Sequence, residues 1–130
     1  MSIYPKVLLL DGNPDGALLE KMLEGRAAVT RVETIPEALA LARRTDYDAI
    51  FCPWELADGT WQHVLQEVQR RRLEIPVIVF CHYGGEREWS EVLKAGAFDL
   101  LAPPYDGYEL GALLAHALAC RHPAPGCLVA

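Results

Sequence analysis

Short unbroken apolar runs alternate along this chain with longer stretches whose apolar positions recur every three or four residues. Val7-Leu8-Leu9-Leu10 is unbroken and ends in Asp11-Gly12-Asn13-Pro14, the pattern of a strand buried on both faces and followed by a turn. Asn13 stands where it caps a helix, with Pro14 at the first position and Asp15 in the first turn. The spacing predicts an inward face of Leu18, Leu19, Met22 and Leu23, ended by Gly25. Residues 29–34 alternate apolar and polar, as an edge strand with one wet face does. Thr34 and Glu37 have capping-box spacing, and Ala38, Leu39, Leu41 and Ala42 carry the next helix to Arg43-Arg44. Residues 48–52 read as a third strand, halted at Pro53. A helix follows over 61–72, with Trp61, Val64, Leu65 and Val68 on one face. Residues 76–81 form the most hydrophobic strand, and 86–95 a helix with Trp89, Val92 and Leu93 inward, ended by Gly96. A short fifth strand covers 99–102. Asp106 and Glu109 then open a helix with Leu110, Leu113, Leu114, Ala117 and Leu118 on one side, running to about Arg121.

Five strands thus alternate with five helices. Alternation with buried-type strands implies right-handed crossovers and an α/β fold, a five-stranded parallel sheet wound on both faces. In such sheets ligands bind beyond the carboxyl ends of the strands. The informative residues are therefore those that follow the first, third, fourth and fifth strands.

Length and charge narrow the class. The 130 residues suit one domain, expected over 1–121, with a short Pro-containing tail over 122–130 and no output domain. With 12 Lys plus Arg against 18 Asp plus Glu, the net charge is −6. That balance argues against a general nucleic-acid binder, and Arg70-Arg71-Arg72 reads as a solvated helix end. No apolar run approaches the roughly 18–20 residues of a membrane span, and the first run is too short for a signal peptide. Cys52, Cys81, Cys120 and Cys127 form no C-x-x-C pair, so reduced thiols in a cytoplasmic protein are expected, without a zinc site. Cys127-Leu-Val-Ala130 matches a lipidation signal in form alone.

The strand ends carry a resemblance. Val7-Leu-Leu-Leu-Asp11-Gly-Asn-Pro14, Tyr47-Asp48-Ala-Ile-Phe-Cys52, Leu56-Ala-Asp58-Gly59, Ile75-Pro-Val-Ile-Val-Phe-Cys81 and Gly96-Ala-Phe-Asp99-Leu-Leu-Ala-Pro103-Pro104-Tyr105 together resemble the receiver domain of two-component response regulators, over Lys6 to about Arg121. The resemblance implies a CheY-like, flavodoxin-like fold with strand order 2-1-3-4-5. It also implies a role in phosphorelay signalling, by a kinase, another regulator or a second copy as partner.

That family works with five groups. Two acids after the first strand help hold a divalent cation, and an aspartate ending the third accepts the phosphoryl group. A hydroxyl residue and a lysine, ending the fourth and fifth, donate to the phosphoryl oxygens. Here Asp11 keeps the first acid position, but Gly12 stands at the second, Pro53 at the acceptor, Cys81 at the hydroxyl and Pro103 at the lysine. The expectation is a degenerate receiver: not an enzyme, with no metal ligand set and Mg²⁺ binding weak or absent. It would act through its fourth helix, fifth strand and fifth helix, where Tyr105 holds the family's aromatic switch position and Trp89 and Tyr108 lie nearby. That face could also form a homodimer; neither nucleic acid nor membrane is an expected partner. Two alternatives stay open: phosphorylation on a displaced acid, Glu55 or Asp58, and a small-ligand or redox protein, such as a flavin binder, on the same architecture. Against the second, the loop after the first strand is acidic and would repel a phosphate. The resemblance further implies a cis bond between Pro103 and Pro104.

Overall fold

The apolar runs become strands buried on both faces because helices cover each side of one sheet. The structure, a computed structural model, describes residues 4–11, 14–81 and 85–121. In chain order the elements are β1 (Lys6–Leu10), α1 (Pro14–Leu23), β2 (Ala28–Val32), α2 (Ile35–Arg44), β3 (Ala49–Pro53), β4 (Glu55–Leu56), β5 (Gly59–Thr60), α3 (Trp61–Arg70), β6 (Val77–Phe80), α4 (Glu86–Ala95), β7 (Asp99–Leu101) and α5 (Gly107–Arg121). The main sheet runs β2-β1-β3-β6-β7 with every pairing parallel, the expected order with β6 and β7 as its fourth and fifth strands.

Period-two alternation sorts the strand residues between two cores. Leu8, Leu10, Ile50, Cys52, Val77 and Val79 pack with α2, α3 and Val92 of α4. Val7, Leu9, Ala49, Phe51, Ile78 and Phe80 pack with α1 and α5.

Several local expectations are corrected. The segment after Pro53 is not a plain loop: β4 and β5 form a two-stranded hairpin, with Asp58 in its turn. The second strand ends at Val32, two residues early, because Thr34 leaves the sheet to cap α2, its hydroxyl accepting from Glu37 N at 3.3 Å. Pro53 does not lie outside the third strand but is its last residue. The third helix stops at Arg70, and the chain then takes left-handed turns at Arg72 (φ 53°) and Glu74 (φ 54°). Leu18 and Trp89, placed inward by spacing, are 47% and 48% exposed, while Leu19, Leu23 and Val92 are buried. The apolar stripes are narrower than the lists of large residues suggested. Gly96 ends α4 at φ 106°, as its position implied. The caps expected of Asn13, and the tail over 122–130, lie outside the described residues.

The Arg-rich end of α3 is organised by Glu67, whose carboxylate accepts from Arg70 Nε at 2.6 Å and Arg71 Nη2 at 3.5 Å. The Arg70 hydrogen bond holds that carboxyl down at about 2. A depressed carboxyl favours the folded state above its unfolded pKa, near 4.3, and that favour is lost as pH falls through about 2. An NMR titration is expected to show Glu67 still ionised at pH 3, where exposed glutamates are protonated.

Candidate functional site

The carboxyl ends of β1, β3, β6 and β7 lie side by side because the sheet is parallel. Asp11 directly follows β1, with its backbone N–H on Val32 O at 2.8 Å. Its side chain does not stand open. Arg31, on β2 opposite Leu9, donates to Asp11 Oδ2 from Nε at 3.2 Å and from Nη2. The remaining arm, Nη1, reaches Glu20 of α1 at 3.0 Å. One guanidinium thus ties the end of β1 to β2 and α1. Hydrogen bonding and attraction from Asp11 hold Arg31 above its usual pKa. Gly16 makes room for this: a Cβ there would lie 2.8 Å from Asp11 Oδ1. Nothing in the sequence alone singled out Arg31. Its signal is the β1–β2 register, which sets Leu9 against Arg31 and brings the guanidinium beside the next acid.

Pro53 is buried at the end of β3, between β1 and β6 and in register with Phe80. A proline offers no side-chain oxygen there. Its neighbour Trp54 continues the ladder by donating to Phe80 O at 2.9 Å.

Cys81, at the end of β6, is buried, and its N–H donates to Leu101 O at 3.0 Å. Its thiol faces the same carbonyl at 3.8 Å. Burial, then the charges of Glu88 and Asp15, push the thiol up to about 11. Cys52 is free and fully buried, and burial pushes its thiol higher still. Neither thiol has the low pKa and access of a reactive nucleophile. Pro103 and Pro104 are exposed and joined by a cis bond.

Tyr105 is drawn inward. Its hydroxyl lies 2.9 Å from both Asp15 Oδ2 and Cys81 O, and so bridges α1 and the end of β6. Burial first, then the hydrogen bond to Asp15, raise its pKa. Tyr105→Phe removes one hydrogen bond to a charged acceptor and is expected to cost about 1–2 kcal/mol, measured by urea unfolding. A loss below a few tenths would mean that the bridge contributes nothing.

The other predicted residues are spread more widely. Trp89 donates from Nε1 to Asp99 Oδ1 at 3.0 Å while its ring stays half exposed. Tyr108, in the first turn of α5, is 85% exposed. Glu55 is exposed on the hairpin. Asp58 has a structural duty: Oδ2 accepts from Ile35 N at 3.0 Å and caps α2. Gly12 and His82 lie outside the described residues.

The donor set does not fit a divalent cation. Asp11 shares the Arg31 guanidinium with Glu20, and Pro53 and Pro103 supply no side-chain ligand. Among the described residues no three His, Cys, Asp or Glu converge. Mg²⁺ takes near-octahedral oxygen ligands, commonly with one or two carboxylates. The arrangement provides a paired acid, a proline-ended strand and an anchored tyrosine.

Comparison with known proteins agrees with this geometry at the level of fold and family. The response regulator receiver domain family matches residues 7–115. Response regulator protein PilR of Pseudomonas aeruginosa is 35% identical over 120 residues, 91% of this chain and 27% of PilR. Acid tolerance regulatory protein ActR of Rhizobium meliloti is 30% identical over 116 residues, 86% of this chain and 60% of ActR. This chain therefore spans about a quarter of the first relative's length and three-fifths of the second's. Among solved structures, the signal receiver domain of a LuxO repressor protein from Vibrio parahaemolyticus superposes with a TM-score of 0.80 at 22% identity, covering 92% of this chain and 94% of that one. The receiver domain of sensor histidine kinase PA1611 from Pseudomonas aeruginosa, which holds a magnesium ion in its active-site cleft, gives 0.77 at 26%, covering 89% and 98%. With its sheet order and family match in agreement, the chain belongs to the receiver domains of two-component response regulators.

Proposed function

We propose that this receiver domain transmits signals by protein contact, without phosphorylation at the usual position. The observation that carries the reading is Pro53, buried at the end of β3 where the family's acceptor stands. The Asp11–Arg31 pair supports it, since a fixed guanidinium occupies the charge that a metal would otherwise meet. The partner is a protein: a kinase, another regulator or a second copy. It would engage the face of α4, β7 and α5, where Trp89 and Tyr108 expose aromatic area at low entropic cost. Neither nucleic acid nor membrane is a partner, and the domain works in the cytoplasm.

Incubation with acetyl phosphate and Mg²⁺, followed by intact mass, tests the proposal. No adduct of about 80 Da is expected, and the Tm is expected to move by less than about 1 °C at millimolar Mg²⁺. A stoichiometric adduct, or a rise of several degrees, would overturn the reading. An adduct lost in Glu55→Gln would favour the displaced acceptor. Asp58 is a poorer candidate, because its carboxylate already caps α2.

A further inference from the structure

Strand parity brings Arg31 and Asp11 to one face of the sheet. Val7 and Leu9 point to the side of α1 and α5, and Asp11, two residues on, continues that alternation. Arg31 stands opposite Leu9 in the ladder, and Val29, two residues before it, packs on the same side. Both side chains therefore meet α1, the helix that carries Asp15, Gly16 and Glu20.

Arg31 uses its whole fork there. Nε at 3.2 Å and Nη2 donate to Asp11 Oδ2, and Nη1 donates to Glu20 Oε1 at 3.0 Å. A guanidinium can bridge two carboxylates in this way, whereas an ammonium is a single point charge. The side chains of Arg31, Asp11 and Glu20 are 39%, 23% and 32% exposed, so the cluster is largely shielded from water. Two carboxylates from separate elements, facing one cation at the end of the first strand, form the kind of cross-link that a divalent ion makes with oxygen ligands. The second carboxylate comes from α1, since the residue after Asp11 is Gly12.

The same helix anchors Tyr105. Asp15 accepts from the Tyr105 hydroxyl at 2.9 Å, and Gly16 lets α1 close on the end of β1, where a Cβ would lie 2.8 Å from Asp11 Oδ1. Arg31, Asp11, α1 and Tyr105 thus form one connected set. We propose that Arg31 is the resident cation of this receiver. Its guanidinium takes the place of a divalent ion, holds β1 to α1 through Asp11 and Glu20, and so keeps Asp15 where Tyr105 stays inward without any signal. The inference rests on the reading above, in which the site works without a metal. It has a consequence for the residues left behind. Without Arg31, Asp11 and Glu20 face one gap and repel each other, and a divalent cation relieves that repulsion.

Thermal unfolding of the full chain with and without about 10 mM MgCl₂, at matched ionic strength, tests it. The parent Tm is expected to move by less than about 1 °C. Arg31→Ala is expected to start lower and to rise by about 3–6 °C with Mg²⁺, the response of a site with a Kd of about 1 mM. Arg31→Gln, which keeps most of the side chain, is expected to respond likewise and serves if Arg31→Ala does not fold. Adding Glu20→Gln to either variant is expected to abolish the response, because one carboxylate remains. In ¹³C-tyrosine-labelled chain, the ring signal of Tyr105, assigned with Tyr105→Phe, is expected to shift in Arg31→Gln and to return with Mg²⁺. An ordinary ion pair would give the loss of stability without the Mg²⁺ response, so two Arg31 variants indifferent to Mg²⁺ overturn the proposal. A Tyr105 signal unmoved by loss of Arg31 overturns it as well. An acetyl phosphate adduct of about 80 Da on the parent overturns the reading above and takes this inference with it. Indifferent variants without an adduct overturn this inference alone.

Discussion

Pro53→Asp is expected to destabilise this domain by about 3 kcal/mol at pH 7. The position is buried, at the end of a central strand and one step beyond the Cys52–Val79 pair. A carboxylate there loses its water. Pro103, just beyond β7, supplies no cation to compensate it. Arg31 is already committed to Asp11 and Glu20. Loss of the proline also gives the unfolded chain more freedom, which adds a few tenths of a kcal/mol in the same direction. Pro53→Ala separates the two effects and is expected to cost about 1 kcal/mol, without the charge. The aspartate's pKa would be raised by burial. The folded state is then disfavoured above the unfolded pKa of about 4, and the deficit shrinks as pH falls through the folded value. Adding Pro103→Lys to Pro53→Asp is expected to recover about 1–2 kcal/mol beyond additivity. Urea unfolding of the parent, Pro53→Ala, Pro53→Asp, Pro103→Lys and the double variant at pH 5 and pH 8 measures each term. If Pro53→Asp were as stable as Pro53→Ala, the strand end would be wetter than its burial implies.

The strand ends were legible in the sequence, because the strands could be recognised from unbroken apolar runs. Val7 to Leu10 and Val77 to Phe80 have no polar interruption, so the positions after them were fixed to within a residue. What could not be read was how side chains meet across elements. Arg31 lies twenty residues from Asp11, and their pairing depends on the β1–β2 register. Tyr105 and Asp15 are ninety residues apart and meet because α1 and the β7–α5 connection converge at the same sheet end. The hairpin at Glu55 to Thr60 also escaped, because two-residue strands are too short to show alternation. Trp89 shows the opposite limit. Its spacing with Val92 and Leu93 placed it inward, but α4 buries only Val92 fully and leaves the tryptophan at the margin. Helical periodicity gives the direction of a face but not its width.

Trp61→Ala is the second large effect, expected to cost about 3–5 kcal/mol. Trp61 opens α3, is 1% exposed and belongs to the core beneath α2 and α3. Its ring lies 5.4 Å from that of Trp54 at 48°, an aromatic pair that contributes beyond its buried area. The two tryptophans bracket the β4–β5 hairpin, and Trp61 N donates to Trp54 O at 3.4 Å. The hairpin in turn presents Asp58 to Ile35 N, the first residue of α2. The cavity left by the ring therefore loosens a segment that caps a different helix. Asp58→Ala alone is expected to cost about 1 kcal/mol, the usual worth of a helix cap. The double variant should lose less than the sum by at least about 0.5 kcal/mol, because a displaced hairpin no longer delivers the cap. Trp61→Phe, which keeps a ring and most of the volume, should lose far less than Trp61→Ala. Strict additivity in the cycle would mean that the hairpin holds its place without Trp61. The pair of tryptophans would then be core packing alone, without a part in positioning the segment that follows β3.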